Sequence, residues 1–262
     1  MKKSYQDIFA SGKTVFIPFF VLGDPDFDTS LELILTTVEA GADALELGIA
    51  FSDPIADGPT IQRADVRALN AGMTCERAIE LIAKIRERTD VPIGLLMYYN
   101  LITHIGVERF YRDAAQVGVN SVLVADLCID DADELAGPVN DNQLDTVFMA
   151  TPNTTEQRLQ RIARLCTGFV YTVSLLGVTG ARTELSDLVT PLIQRLKSLT
   201  KVPVCVGFGV SKPEHARMLA DAGADGVIVG SAVVNLVEQG LHAPDHGKEA
   251  LRQYILDMKA AL

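Results

Sequence analysis

Short apolar runs alternate with amphipathic segments of helix length along the whole chain. The runs with the length of a buried strand are residues 15–22, 44–49, 93–97, 121–124, 146–149, 169–173, 203–206 and 226–229. The segments with helical spacing of apolar residues are 2–10, one from Asp26 or Asp28 to about Glu39, 74–88, 104–117, 130–137, 154–165, 187–198, 212–222 and 232–239. Apolar strands separated by helices indicate parallel strands joined by right-handed crossovers. The chain is therefore predicted to be an α/β protein.

A short motif recurs in the chain and supports one repeated structural unit. Residues 40–48 have the sequence AGADALELG, residues 222–230 have AGADGVIVG, and residues 117–124 match them more loosely. A helix ended by glycine, one turn residue and a buried strand would give this pattern. Eight such units in 262 residues predict a (β/α)8 TIM barrel. The alternative is an open doubly wound sheet, which rarely needs eight evenly spaced units.

The predicted barrel is a single domain over residues 1–262, because no linker or low-complexity segment interrupts the alternation. A short helix at 2–10 precedes the first strand, and an extra short helix at 232–239 follows the eighth. In a TIM barrel, catalytic residues lie at the carboxyl ends of the strands.

Composition and charge narrow the possible partners and location. The net charge of −11 argues against a nucleic-acid partner or an anionic membrane surface. A phosphate-bearing substrate remains possible, since backbone N–H groups can hold phosphate. The four cysteines are far apart and indicate small buried side chains in a reducing compartment. Without a secretory signal, and with the longest apolar run at 15–22, the chain is predicted to be cytoplasmic and not membrane-bound.

One predicted strand carries a charged residue, Glu46, in an otherwise apolar run. Burial of an unpaired carboxylate costs several kcal/mol or raises its pKa. The following loop has two more carboxylates, Asp53 and Asp57, among Pro and Gly residues. A buried acid beside an acidic loop is a candidate pair for general acid–base catalysis. Glu46 could instead be a structural carboxylate held by backbone N–H groups, and Asp53 and Asp57 could be turn residues.

Glycines follow the last two predicted strands. The sequence Gly207-Phe208-Gly209 follows the seventh strand, and Gly230-Ser231 follows the eighth. Barrel enzymes often hold phosphate with these two loops and the N-terminus of a short helix, which Ser231 would cap. The alternative is that these are ordinary turn glycines, but their place in both loops favours a phosphate site.

Two other features of the sequence concern a lid and a metal. The segment from Ser174 to about Leu185 is longer than a usual connection and contains Gly177 and Gly180, so it is predicted to be a lid over the site. His242 and His246 have metal-ligand spacing for a helix. Pro244 lies between them and no third ligand is evident, so a solvated loop and no metal site are expected.

Several stretches together resemble the tryptophan synthase alpha chain family. They are residues 18–25, 46–62, 96–100, 177–180, 207–209 and 230–231, in family order over nearly the whole chain. The run FSDPIADGPTIQ at 51–62 is the most specific. The resemblance implies a lyase of tryptophan biosynthesis that cleaves indole-3-glycerol phosphate to indole and glyceraldehyde 3-phosphate by a retro-aldol reaction. It also implies no cofactor in this chain and an α2β2 complex with a beta chain that uses pyridoxal phosphate.

The resemblance assigns roles to individual residues. Glu46 would be the general acid–base, Asp57 the acid that contacts the indole N–H, and Asp53 a loop residue facing the lid or the partner. The indole pocket would be lined by Phe19, Leu96, Leu123, Tyr171 and Phe208. The phosphate would be held by Gly180, Gly209, Gly230 and Ser231, with Thr179 in the lid. The sequence departs from the family pattern at Val21, Ala50, residues 127–130 (which include Cys128) and Leu175, none of which is a proposed catalytic residue.

Two other functions are compatible with a barrel that has phosphate loops. One is another phosphate-binding enzyme, such as a sugar-phosphate isomerase or an aldolase. An aromatic pocket around Phe19 and Phe208 argues against it, and the predicted strands contain no lysine for a Schiff base. The other is a regulatory subunit without catalytic activity, which the presence of both Glu46 and Asp57 disfavours.

Overall fold

The computed structural model describes residues 2–173, 183–207 and 209–262. Eight parallel strands form a closed barrel in sequence order, with β8 paired to β1. The strands are Val15–Val21 (β1), Leu45–Gly48 (β2), Ile93–Met97 (β3), Ser121–Val124 (β4), Asp145–Ala150 (β5), Phe169–Val173 (β6), Val204–Gly207 (β7) and Gly226–Val229 (β8). The predicted (β/α)8 TIM barrel is confirmed, and each strand begins and ends within one residue of its predicted bounds.

Helices surround the barrel. They are Tyr5–Phe9 (α1), Phe27–Glu39 (α2), Pro59–Asn70 (α3), Cys75–Arg86 (α4), Tyr99–Ile105 (α5), Val107–Gln116 (α6), Asp133–Asp141 (α7), Glu156–Leu165 (α8), Thr183–Leu199 (α9), Pro213–Asp221 (α10), Ser231–Gly240 (α11) and Pro244–Ala260 (α12). A short 3-10 turn, Ile129–Asp131, precedes α7. No helix in the described ranges has the length and apolar character needed to cross a bilayer.

Three helices, α3, α5 and α12, were not predicted from the sequence. Both α3 and α12 begin with a proline, Pro59 and Pro244, at places where the sequence predicts a loop. Proline is well suited to the first helical position, where its missing N–H would have no partner. The predicted helix 104–117 corresponds to α6, and Gly106, whose φ of 96° leaves the helical region, separates α6 from α5.

The repeated motif has the structure that its sequence predicted. Its glycine adopts a positive φ in all three copies, 109° at Gly41, 85° at Gly118 and 94° at Gly223. This left-handed conformation ends the preceding helix, and glycine adopts it at little conformational free-energy cost. The buried strands β2, β4 and β8 follow within a few residues. A conformational requirement of the backbone therefore explains the internal similarity.

The polar residue of each copy also makes a structural hydrogen bond that the sequence pattern does not reveal. Its side-chain oxygen accepts a hydrogen bond from a backbone N–H near the start of another strand. The bonds are Phe16 N–H to Asp43 (2.7 Å), Ile93 N–H to Asn120 (3.1 Å) and Val204 N–H to Asp225 (2.8 Å). The motif therefore fastens the amino-terminal ends of the strands, opposite the end where chemistry is expected.

The amino-terminal end of the barrel is closed by α1. Tyr5 is 3% exposed, and its hydroxyl lies 2.8 Å from the Ser121 hydroxyl of β4. Its ring makes an edge contact with Phe169, with 5.2 Å between the ring centroids. Solvent is thereby kept from the barrel interior at this end.

All four cysteines are free. Cys166 and Cys205 are buried and Cys75 is half-buried, as small apolar side chains would be. Cys128 is exposed, so the prediction of a buried side chain is wrong for this residue. Cys128 lies in the polar connection between β4 and α7, outside the apolar run that forms the strand.

An ion-pair network joins α3 to the loop after β1 and to α11. Arg67 donates two hydrogen bonds, of 2.7 and 2.8 Å, to Asp24, which is 4% exposed. Arg67 also lies 2.9 Å from Glu238, which Arg63 contacts from the solvent side at 2.7 Å. Burial raises the pKa of Asp24 even though the Arg67 guanidinium opposes the shift. Arg67 is therefore the cation that pairs with the buried Asp24 in this network.

We expect Arg67→Ala to lower the free energy of unfolding by roughly 3 kcal/mol, because it leaves a buried carboxyl unpaired. The matched control is Arg63→Ala, which removes the exposed arm of the same network and should cost less than about 1 kcal/mol. Denaturant unfolding of both variants measures the difference. Equal losses of unfolding free energy in the two variants would contradict the view that the Arg67–Asp24 pair stabilises the fold more than the Arg63–Glu238 pair.

Candidate active site

Glu46 lies inside the barrel on β2, a strand paired on both sides. Its position is opposite Phe19 of β1 and Gly94 of β3. The side chain is 5% exposed and lines a small cavity in the barrel with mainly apolar neighbours. Burial, and then the negative charge of Asp57, raise the pKa of Glu46 to about 8. At neutral pH this carboxyl group is therefore mostly protonated and close to titration.

Asp57 lies in the loop between β2 and α3, just before the start of the helix. Its backbone N–H bonds to the Pro54 carbonyl at 3.0 Å, and its own carbonyl accepts a bond from the Gln62 side chain at 2.8 Å. The Tyr98 hydroxyl donates to the Asp57 carboxylate at 2.7 Å. Burial raises the pKa of Asp57, and the Tyr98 hydrogen bond opposes that shift. The Tyr98 bond therefore favours the ionised form of Asp57.

Tyr98 was missed as a site residue by the sequence analysis. It follows β3 directly, at the carboxyl end of the strand. Besides donating to Asp57, its hydroxyl oxygen accepts a 3.1 Å bond from the Ala56 backbone N–H. Its ring packs on Phe51, with 5.2 Å between the centroids. A tyrosine immediately after a barrel strand was the available signal, since that position faces the catalytic end.

Aromatic rings lie against glycines of the neighbouring strands. A Cβ atom on Gly48 would lie 2.8 Å from the Phe19 ring, and one on Gly207 would overlap the Tyr171 hydroxyl. These glycines therefore make room for the rings. Burial raises the pKa of Tyr171 well above its ordinary value, and the charges of Glu46 and Asp57 add to the shift. The structure brings Phe19 and Tyr171 to the same place as the two carboxyl groups.

Two aliphatic residues of the predicted pocket come from adjacent strands. Leu96 of β3 is paired in register with Leu123 of β4. Leu123 is buried and Leu96 is half-buried. On the other side of β3, Leu96 is paired with Gly48 of β2. These residues form an apolar wall next to the strand that carries Glu46.

The predicted phosphate residues at the ends of β7 and β8 are also adjacent. Gly230 follows β8 and is the N-cap of α11, so the helix begins at Ser231. The expectation that Ser231 caps this helix is therefore wrong, because Ser231 is already the first helical residue. The first N–H groups of a helix have no partners within it and can bind an anion. Gly209 is exposed and has a φ of 76° in the neighbouring loop.

Several predicted residues lie outside the described ranges. They are Leu175, Gly177, Thr179 and Gly180 of the predicted lid, and Phe208 of the predicted indole pocket.

Within the described ranges, no group of three or more His, Cys, Asp or Glu side chains is placed to hold a metal ion. The two histidines with suggestive spacing are separated by the start of a helix. His246 lies in α12 and His242 precedes it. The spacing of four residues consequently does not put them on one helical face.

Comparison with known sequences identifies the family. A sequence model of the tryptophan synthase alpha chain matches residues 5–262. The tryptophan synthase alpha chain of Methanothermobacter thermautotrophicus is 51% identical over 99% of this chain and 95% of that protein. The one of Methanoregula boonei is 44% identical over 98% and 97% of the two chains. The chain belongs to the tryptophan synthase alpha chain family.

Solved structures agree with this family membership. A chain of the tryptophan synthase α2β2 complex from the hyperthermophile Pyrococcus furiosus is 39% identical, with a TM-score of 0.88 over 99% of this chain and 100% of that chain. The tryptophan synthase subunit alpha of Legionella pneumophila is 31% identical, with a TM-score of 0.90 over 98% and 95% of the two chains. The likeness extends over the whole barrel.

The Tyr98–Asp57 contact generates a prediction. We expect Tyr98→Phe to lower kcat/KM about tenfold or more, because a hydrogen bond to a charged group contributes roughly 1.5–3 kcal/mol. The loss should be greatest at low pH, since the pKa of Asp57 rises when the bond that favours its ionised form is removed. Steady-state assays of indole release across pH measure both effects.

The matched control for Tyr98→Phe is Tyr99→Phe. Tyr99 is the next residue, and its hydroxyl bonds to Glu134 at 2.8 Å on the surface. Tyr99→Phe should leave kcat/KM within about twofold, since solvent replaces a surface bond. If the two variants behaved alike, the hydrogen bond to Asp57 would not be the functional contact.

Proposed function

We propose that Glu46 and Asp57 carry out the reaction of this family, the cleavage of indole-3-glycerol phosphate to indole and glyceraldehyde 3-phosphate. The chain is a lyase of tryptophan biosynthesis by family membership. The observation that supports these two residues is their electrostatic pairing. Glu46 is buried with a pKa of about 8, and the charge of Asp57 contributes to that shift.

The cleavage requires two proton transfers and the breaking of one carbon–carbon bond. The indole carbon that leaves must gain a proton, and the hydroxyl group on the adjacent side-chain carbon must lose one. Electrons of the O–H bond form the aldehyde C=O, and those of the broken C–C bond return to the indole ring. A single carboxyl group that donates a proton and then accepts one serves both steps without net consumption. Glu46, protonated near neutral pH, is suited to act first as the acid and then as the base.

Asp57 would stabilise the charge that develops on the indole. Protonation of the ring carbon makes the ring positively charged and its N–H a stronger donor. An ionised carboxylate at that N–H lowers the energy of this state most where water is excluded. Tyr98 supports this role, because its hydrogen bond favours the ionised form of Asp57.

The apolar wall gives the site its preference for an aromatic ring. We assign the indole pocket to Phe19, Leu96, Leu123 and Tyr171, and keep Phe208 as a predicted member outside the described residues. The buried Phe19 and Tyr171 rings lie over glycines, so they can pack against a flat ligand. A sugar phosphate, which has no aromatic ring, would leave this apolar surface without a packing partner.

The phosphate would bind at the ends of β7 and β8. We assign Gly209, Gly230 and Ser231 to it on account of the free N–H groups at the start of α11 and the open backbone of the Gly209 loop. Gly180 stays a predicted phosphate-binding residue, and Thr179 stays a predicted lid residue. In this proposal the acidic groups lie near β2 and the phosphate would bind near β8, and these two strands flank β1.

The partner and the chemical requirements also follow the family. We propose an α2β2 complex with a beta chain, in line with the similar Pyrococcus furiosus chain, whose structure is described as an α2β2 complex. The reaction above uses only side chains and backbone groups, so we propose no cofactor in this chain and place pyridoxal phosphate in the beta chain. A cytoplasmic location and a single domain over residues 1–262 remain our predictions.

We expect Glu46→Gln to reduce kcat by at least about 10³-fold while substrate binding changes little, because the amide has the same shape but cannot exchange a proton. For the unmodified chain, kcat/KM should fall as the pH rises through about 8, where Glu46 loses the proton it must donate. Assays of indole release with and without a beta chain measure turnover, and calorimetry measures binding.

The control for Glu46→Gln is Glu39→Gln, which changes an exposed carboxyl group at the end of α2. It should leave turnover unchanged. Near-normal turnover by the Glu46 variant would show that another group moves the protons.

We expect Gly230→Asp to weaken substrate binding by at least about tenfold through repulsion of the phosphate. The φ of Gly230 is −97°, and a Cβ atom there would lie 3.7 Å from Phe19, an ordinary contact. The fold should therefore tolerate the change. The control is Gly137→Asp, where a Cβ atom would meet no atom within 4 Å. Unchanged affinity in the Gly230 variant would exclude this loop as the phosphate site.

A further inference from the structure

The carboxyl group of Asp126, just after β4, has no part in the proposed reaction but contacts the residue next to Tyr98. Its Oδ1 atom accepts a hydrogen bond from the Tyr99 backbone N–H at 2.7 Å. Tyr99 is the first residue of α5, and the first N–H groups of a helix have no partner within it. The side chain of Tyr98, the residue before the helix, makes no capping bond. Asp126 therefore supplies an acceptor for this helix from a neighbouring strand.

The register of the barrel puts Asp126 beside Tyr99. Met97, the last residue of β3, is paired with Val124, the last residue of β4. The pairing continues by one more bond, from the Ala125 N–H to the Met97 carbonyl at 2.8 Å. The two chain segments therefore leave the sheet side by side at its carboxyl end, where the functional residues of a barrel lie.

The backbone of Tyr98 is held by contacts on the side of the helix. Its carbonyl accepts a bond from the Leu101 N–H at 3.1 Å, and the N–H of the next residue is bonded to Asp126. Tyr98 itself has extended backbone angles, with a φ of −106° and a ψ of 141°. The chain therefore turns from strand to helix at Tyr98, and this turn sets the direction of its side chain.

The far end of the Tyr98 side chain contacts the catalytic loop. The hydroxyl donates to Asp57 at 2.7 Å and accepts a bond from the Ala56 N–H at 3.1 Å. Tyr98 is 3% exposed, and its ring packs on Phe51. Because the hydroxyl is the most distant atom of the side chain, a small rotation of the backbone moves it by a larger distance. Groups that act on a substrate must be held to within about 0.5 Å.

We propose that Asp126 is a positioning residue for the reaction, which fixes the backbone at the end of β3 so that the Tyr98 hydroxyl stays on Asp57. The role of Asp57 in this inference rests on the proposed function. Asp126 acts on the reaction through Tyr98, since its own carboxylate is bonded to a backbone amide.

A second carboxylate on Tyr99 provides a comparison within the structure. The Tyr99 hydroxyl bonds to Glu134 of α7 at 2.8 Å, and Glu134 is exposed like Asp126. Glu134 therefore holds the end of the Tyr99 ring, whereas Asp126 holds its backbone. Of these two bonds, the backbone bond is the one that bears on the preceding residue, Tyr98.

We expect Asp126→Ala to lower kcat about tenfold and to leave KM within about twofold, because the Tyr98–Asp57 bond acts on charge that develops in the transition state. Asp126→Asn keeps an oxygen acceptor for the Tyr99 N–H and should retain kcat within about threefold. Steady-state assays of indole release, with and without a beta chain, measure both. A rise in KM at unchanged kcat, or equal losses in the Ala and Asn variants, would overturn the proposal.

The matched control is Glu134→Ala, which removes the other carboxylate from Tyr99. It should leave kcat within about twofold, since solvent replaces a surface bond. A loss as large as that of Asp126→Ala would show that any disturbance of Tyr99 suffices, and would contradict a specific role of the backbone bond.

Combination with Tyr98→Phe tests the route of the effect. In the Tyr98→Phe chain, Asp126→Ala should lower kcat by less than about a further twofold, because the hydroxyl through which it acts is absent. An undiminished tenfold loss there would overturn the inference, as would full turnover by Asp126→Ala where Tyr98→Phe is impaired. Full turnover by Asp57→Asn would instead contradict the proposed function, so the two failures are distinguishable.

A measurement without any change at Asp126 covers the case in which its variants fold poorly. In the unmodified chain, the Tyr99 amide should exchange with solvent at least about tenfold more slowly than the Asn100 amide, after correction for their intrinsic rates. Asn100 follows Tyr99 in the first turn of α5, and its N–H has no partner among the residues that the structure describes. Nuclear magnetic resonance of the labelled chain measures both rates. Equal rates would show that Asp126 does not hold this amide.

Discussion

The burial of Glu46 in an apolar barrel is the constraint on which the site depends. Strand β2 is paired with β1 and β3, so the backbone of Glu46 is held in the wall of the barrel. At the amino-terminal end of the barrel, Tyr5 is hydrogen-bonded to Ser121 and helps to keep water from the Glu46 carboxyl group. Desolvation is consequently the largest cause of the raised pKa of Glu46. The barrel therefore fixes the position of Glu46 and also raises its pKa into the range that proton transfer requires.

The loop after β2 and helix α3 bring the other acidic groups to this point. Asp57 ends the loop, and Asp65 lies on the inner face of the helix. Arg67, one helical step further, anchors α3 to Asp24 after β1 and to Glu238 on α11. The helix that positions the acidic loop is thus tied to the helix whose N-terminus is the proposed phosphate site. A shift of α3 would disturb both ends of the substrate together.

The sequence was sufficient to predict the barrel and the burial of Glu46, because both depend on patterns within a few residues. Alternation of apolar runs predicted the strands to within one residue, and the motif at Gly41 and Gly223 reflects a local φ requirement. The helices α3 and α12 were missed because proline is compatible with a loop and with a helix start. Tyr98 was not predicted because its role arises from a contact across 41 residues, the hydrogen bond to Asp57. Such contacts exist only once the barrel has closed.

Burial alone would raise the pKa of every carboxyl group at this site, so hydrogen bonds must account for the differences between them. Desolvation is the largest cause of the raised pKa at Glu46, Asp57 and Asp65 alike. Among the described residues, a side-chain hydrogen bond to one of these three carboxyl groups is present for Asp57 alone, and its donor is Tyr98. For Glu46 no opposing hydrogen bond acts on the pKa within the same ranges. The charge of Asp57 in turn contributes to the raised pKa of the other two carboxyl groups. The proposed proton donor, Glu46, and the proposed stabilising anion, Asp57, thus differ because of one phenolic hydroxyl group within a shared apolar environment.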